Sequence, residues 1–147
     1  MPTMRRDIRA VERYLECIYK IQEEGARAKT KEIARRLGVK QPSVTEMLAK
    51  LSEEGLVTYK PYRDAVLTER GARIGRAATR KHRVLEAFLH RTLGIKKGRV
   101  HAEACKLEHA LSDDVEVRIV KLLGKPRTCP DDGKAIPYPD SEPEIWR

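Results

Sequence analysis

No apolar run in this chain approaches the roughly 18 residues needed to cross a bilayer, and none follows the charged opening Met1-Pro2-Thr3-Met4-Arg5-Arg6-Asp7. Neither a membrane span nor a secretory or transit signal is therefore expected, and the expected location is the cytoplasm. Cysteine is scarce. Cys17, Cys105 and Cys129 are an odd number without paired spacing, which argues against a disulfide framework and excludes a four-cysteine zinc site. Internal repeats and Gly-rich phosphate loops are absent as well.

Acidic residues are outnumbered, 22 against 31 basic ones, and the resulting charge of +9 suits a polyanionic partner, with nucleic acid ahead of membrane. The 147 residues can hold one domain or two small ones.

Ile8, Val11, Leu15, Ile18 and Ile21 recur at threes and fours, which predicts a helix from about Asp7 to Glu23 that Gly25 ends. Thr30 can cap a short helix with Ile33, Ala34 and Leu37 inside and Gly38 at the turn. Pro42 suits the first position of a third helix running to Glu54. Val44, Leu48 and Leu51 share one side of it; Pro42, Ser43, Glu46 and Lys50 share the other, with Thr45 beside them and Gln41 just ahead. Two helices around a Gly turn place a recognition helix in the DNA major groove, although a small bundle with a solvated polar face reads the same way. The β-prone runs Leu56 to Tyr59 and Ala65 to Leu67 decide between them. Separated by Lys60-Pro61-Tyr62-Arg63-Asp64, they form a basic-tipped wing. The expected DNA-binding residues are Thr30, Gln41, Pro42, Ser43, Thr45, Glu46, Lys50, Lys60 and Arg63, of which Lys60 and Arg63 reach phosphates.

Thr68 can cap a long helix from Glu69 to about Leu93, and two more are expected over Gly98 to Ala110 and, capped by Ser112, through Leu123. Leu107, Leu111, Val115, Ile119, Leu122 and Leu123 are too many for two helices to cover, so self-association is expected. Beyond Lys125 lie five of the eight prolines, and an extended tail could dock through Ile136, Tyr138, Ile145 and Trp146 or stay mobile.

If His101 to His109 is one helix, residues about 100° apart bring His101, Cys105, Glu108 and His109 onto one face. His82 and Glu86 lie one helical turn apart on another. Two such faces can meet to hold a metal, though each could also be a solvated surface. Imidazole, carboxylate and thiolate together suit Fe²⁺, Co²⁺, Ni²⁺ or Zn²⁺; a thiolate is less natural for Mn²⁺.

Arg80 to Glu86 followed by His101 to His109 resembles the metal-binding signature of the diphtheria toxin repressor family, also called iron-dependent repressors. Glu12 to Leu15, Gln41 to Thr45, Tyr59 to Leu67, Cys129 to Gly133 and Ile136-Pro137 match as well, so the likeness covers nearly the whole chain. The resemblance implies a mainly α fold with a small β wing: a winged helix-turn-helix DNA-binding domain (1–73), then a helical metal-binding and dimerisation domain (74–147) with a Pro-rich tail. It implies a homodimer that represses metal-homeostasis genes by binding double-stranded operator DNA once loaded with Fe²⁺ or Mn²⁺. His82, Glu86 and His101 match one metal site of the family; Cys105, Glu108 and His109 match the other.

Two departures from the pattern stand out. Where the family's first helix supplies Met or Asp to the second site, this chain has Arg13; Glu16, one turn on, matches a Glu that manganese-responsive members use. Either Arg13 turns away and pairs with a carboxylate such as Glu12, leaving Glu16 to complete the site, or it occupies the site and pairs with Glu108. The larger members also have an SH3-like third domain, for which no room is expected here. A manganese-preferring regulator is the nearest alternative. A metal-dependent hydrolase is a remote one, since no substrate-orienting loop accompanies the ligands and the wing would go unexplained.

Overall fold

The computed structural model describes residues 2–61 and 63–140, with side chains from residue 8 onward. Its fold is mainly helical with one small antiparallel sheet, and it divides into two compact units, 1–76 and 77–147.

In the first unit α1 spans Pro2–Glu23, beginning ahead of the expected Asp7, because proline at a helix start forfeits no hydrogen bond. Leu15, Ile18 and Ile21 are fully buried on its inner face, while Ile8, expected beside them, is exposed. Helix α2 (Thr30–Leu37) buries Ile33 and Ala34 and is closed by Gly38, whose φ of 66° is the left-handed conformation that glycine adopts without strain. Thr30 is the first helical residue rather than the cap; Lys29 holds the cap position and makes no side-chain bond there. Helix α3 (Gln41–Glu53) likewise starts one residue before Pro42, which takes the second position. Val44, Leu48 and Leu51 are fully buried, as the spacing predicts.

Strands β1 (Val57–Thr58) and β2 (Val66–Leu67) pair with Val57 opposite Leu67, and Ala65 adds an antiparallel bridge to Ala28. The wing is thus tied to the turn that precedes α2. Tyr62, at its tip, lies outside the described residues. Thr68 caps α4 (Glu69–Arg91): its Oγ1 accepts from the Gly71 N–H at 3.1 Å and donates to the Gly55 carbonyl at 2.7 Å. A Cβ on Gly71 would stand 1.9 Å from the Leu56 carbonyl oxygen, so only glycine lets α4 approach the wing this closely.

In the second unit Val84, Leu85 and Leu89 of α4 pack with Val100 and Ala104 of α5 (Lys97–Leu107), and with Ile119 and Val120 of α6 (Asp113–Leu122). Ser112 caps α6, its Oγ accepting from the Val115 N–H at 3.3 Å. Arg80 and Glu116 form a buried ion pair at 2.8 Å, and burial raises the Glu116 carboxyl against the opposing pull of Arg80.

Two expectations need correction here. The helix expected to run to Ala110 ends at Leu107, and Glu108–Ala110 form a 3₁₀ turn, so His101 to His109 is not one continuous α-helical face. The tail is also not simply extended. Gly133 donates to the Cys129 carbonyl at 3.1 Å, Ile136 to the Arg127 carbonyl at 2.8 Å, and Thr128 bridges Ala135, which closes a tight loop. Ile136 is buried in the helical core and the Tyr138 hydroxyl donates to the Pro126 carbonyl at 2.8 Å. Ile145 and Trp146 lie outside the described residues. Among the described residues no helix is long and apolar enough to cross a membrane.

Candidate metal centre and nucleic-acid interface

The i, i+4 spacing of His82 and Glu86 on α4 turns both inward, where each is almost wholly buried. Burying a carboxylate is costly unless every oxygen finds a partner. His82 Nε2 lies 2.8 Å from Glu86 Oε1, but Glu86 Oε2 is buried with no hydrogen-bond partner. Such an oxygen is one that a cation could satisfy.

On its other side His82 Nδ1 is 3.1 Å from Glu108 Oε2, and Glu108 Oε1 is 3.4 Å from His109 Nε2. Glu86, His82, Glu108 and His109 therefore form one continuous buried chain of alternating carboxylate and imidazole. His101, on the outer side of α5, reaches it edge-on: the His82 and His101 rings are 4.8 Å apart, and His101 Nδ1 lies 3.1 Å from His82 Nε2.

Cys105 does not join Glu108 and His109 as expected. Its sulfur lies 3.7 Å from His101 Nε2 and 4.0 Å from His82 Nδ1, and these three residues bring their donor atoms within 4.8 Å of one another.

Asp131 enters from the loop after α6, a residue that no local pattern in the sequence singles out as a ligand. With Glu86 and His101 it makes a second donor set within the same 4.8 Å limit. The loop is held in place by buried Arg83, which donates to the Ala135 carbonyl at 2.7 Å, and by Cys129, whose Sγ donates to Asp132 at 2.9 Å. Burial and that hydrogen bond raise the Cys129 thiol.

In the first unit Glu16 is buried, and Lys20 holds its carboxylate at 2.8 Å. Arg13 is exposed on α1.

The predicted DNA-binding residues lie on one unit, 1–76. Gln41, Pro42, Ser43, Thr45, Glu46 and Lys50 are exposed on α3 and Lys60 and Arg63 on the wing, while Thr30 is half-buried. A cleft of about 520 Å³ opens between the starts of α2 and α3 and the wing, lined among others by Lys29, Thr30, Gln41, Thr45, Tyr59 and Arg63. Neither helix start carries a side-chain cap, so backbone N–H groups and helix dipoles face this cleft together with the basic side chains. Lys29 and Tyr59 were not expected there; their place depends on the Ala28 to Ala65 bridge, which is invisible to local pattern.

Comparison with known proteins joins these two halves. Residues 8–65 match the family described as iron dependent repressor, N-terminal DNA binding domain, and residues 68–138 match iron dependent repressor, metal binding and dimerisation domain. The iron-dependent repressor IdeR of Mycobacterium tuberculosis is 40% identical over 126 residues, 86% of this chain and 54% of its own length. The diphtheria toxin repressor of Corynebacterium diphtheriae is 39% identical over 112 residues, 76% of this chain and 50% of its own. A solved manganese-dependent transcriptional repressor in complex with manganese superposes with a TM-score of 0.82 at 39% identity, covering 90% of this chain and 60% of that one. The chain spans about half the length of the curated relatives it matches.

Proposed function

Since the chain belongs to the iron-dependent repressor family, we propose that it is a metal-dependent transcriptional repressor that binds double-stranded operator DNA as a homodimer when loaded with Fe²⁺ or Mn²⁺. Genes of metal homeostasis are its targets in this reading, with residues 1–73 binding DNA and 74–147 binding metal and dimerising. The observation that carries it is the buried cluster in which Glu86, one oxygen of which has no hydrogen-bond partner, lies beside the imidazoles of His82 and His101.

His82, Glu86, His101, Cys105, Glu108 and His109 are the proposed ligands of the second unit, and Glu16 of the first joins Glu108 and His109 by resemblance. A bound ion supplies positive charge that neutralises these carboxylates. Glu16 then links α1 to the dimer domain and favours the arrangement of recognition helices that fits an operator. Val115 and Leu122, exposed on one side of α6 with Leu107 nearby in sequence, supply an apolar face for the homodimer.

The test starts from metal-free protein and a duplex selected from a random-sequence pool in the presence of Mn²⁺. Fe²⁺ or Mn²⁺ should be required for tight binding of that duplex, and affinity should fall steeply with salt as Lys50, Lys60 and Arg63 release counterions. Equal affinity for selected and random DNA, with and without a chelator, would remove the repressor reading.

A manganese-preferring regulator is the second reading, favoured by the buried carboxylates of Glu16 and Glu86 and by the separation of Cys105 from Glu108 and His109. Replacing Cys105 with Glu should move the order of activating metals from Fe²⁺ toward Mn²⁺. An unchanged order in metal-activated DNA binding means that Cys105 sets no preference.

A further inference from the structure

His101 belongs to two donor sets at once. With His82 and Cys105 it offers two imidazole nitrogens and a sulfur; with Glu86 and Asp131 it offers one nitrogen and two carboxylates. The sets differ in softness. A thiolate with two imidazoles selects ions of the zinc and cadmium class, whereas carboxylates with one imidazole suit harder Mn²⁺ and Fe²⁺.

Each set needs only a small contraction to close around one ion, since ligand bonds of about 2.0 to 2.3 Å place tetrahedral neighbours about 3.3 to 3.8 Å apart and the donors here lie within 4.8 Å. The two sets also pull on one ring in different directions. His101 Nε2 faces Cys105 Sγ at 3.7 Å, while Nδ1 lies 3.8 Å from Asp131 Oδ2 and 3.1 Å from His82 Nε2. Glu86 gives the hard set its independent support, with a carboxylate oxygen that is buried and without a partner. The His101 side chain is 56% exposed, whereas His82 is buried.

We propose that the two sets are mutually exclusive, because donors up to 4.8 Å apart must draw in to close around an ion and the one His101 ring cannot move toward both. A thiophilic ion is held by His82, His101 and Cys105; a hard ion is held by Glu86, His101 and Asp131; either one draws the imidazole away from the other. Soft ions therefore antagonise loading of the hard set. Asp131 acts here as a ligand supplied by the loop that Arg83 and Cys129 pin in place. This rests on the reading that the cluster binds metal, and deepens it by naming which ions compete and through which residue.

The experiment uses the full chain, reduced and metal-free, loaded with Mn²⁺ and titrated with Cd²⁺. Free Mn²⁺ is followed by electron paramagnetic resonance, and Cd²⁺ at a thiolate by its ultraviolet charge-transfer band. Release of Mn²⁺ should rise in step with the band. Cys105→Ser should lose the band. Asp131→Asn should bind Mn²⁺ more weakly by about tenfold or more at this set, and should form the full cadmium band while releasing correspondingly less Mn²⁺. A band that grows to completion with all Mn²⁺ retained would show both sets filled together and overturn the proposal. So would a band that survives Cys105→Ser, or Mn²⁺ release that is the same in Asp131→Asn. Failure of the parent to bind Mn²⁺ at all would sink the repressor reading as well, so the two failures are distinguishable.

Discussion

At the scale of single residues, two carboxylates and one guanidinium carry most of the account. Glu86 keeps one oxygen buried without a partner, which costs the fold and which a cation would compensate in the proposed reading. Glu16 is held by Lys20 instead, so any ion that it ligates must displace an ammonium. Arg13 stands where the family pattern has a ligand, yet its side chain is exposed while Glu16, one turn on, is buried. Arg13→Met should therefore leave the number of Mn²⁺ ions per chain and their affinities unchanged by calorimetric titration. One additional ion in the variant would show that Arg13 had been blocking a site. His82, Glu86 and His101 were legible from sequence because α-helical spacing alone turns the first two inward. Asp131 was not, since its position follows from Arg83 reaching the Ala135 carbonyl, a contact between residues far apart in the chain.

At the scale of elements, α2 shows how charge holds a short helix whose start has no side-chain cap. Glu32 accepts hydrogen bonds from Arg35 and Arg36, which hold its carboxyl down at about 2 rather than 4.5, and Arg36 also pairs with Glu24. A depressed carboxyl contributes stability that is complete above its unfolded value and lost as pH falls through its folded value. Unfolding stability should drop between about pH 4.5 and pH 2 in the parent, and Glu32→Gln should flatten that part of the profile of melting temperature against pH. An identical profile in the variant would assign the acid transition to other groups. Element identity was legible throughout: buried Leu15, Ile18 and Ile21, and Val44, Leu48 and Leu51, recur at helical spacing. Endings were less so. Nothing between Leu107 and Ala110 signals a break such as Gly or Pro, yet the α-helix gives way there to a 3₁₀ turn.

At the scale of the whole molecule, a unit that matches the family's DNA-binding domain and a unit that matches its metal-binding and dimerisation domain are joined in one chain, and the account requires that they share one free energy. An ion that favours the DNA-competent arrangement must be favoured by DNA in return, by the same factor, whatever path the coupling takes. Family membership and fold were legible from the ligand spacing and the wing, because those motifs are local. Coupling is not local, and no pattern of residues displays it. The most direct measurement is therefore the Mn²⁺ affinity of the full chain with and without a saturating amount of its selected duplex, set beside the duplex affinity with and without Mn²⁺. The account predicts that both rise, and by equal factors. Mn²⁺ affinity that is the same with and without the duplex would contradict it, for the metal would then be a passenger and not the switch.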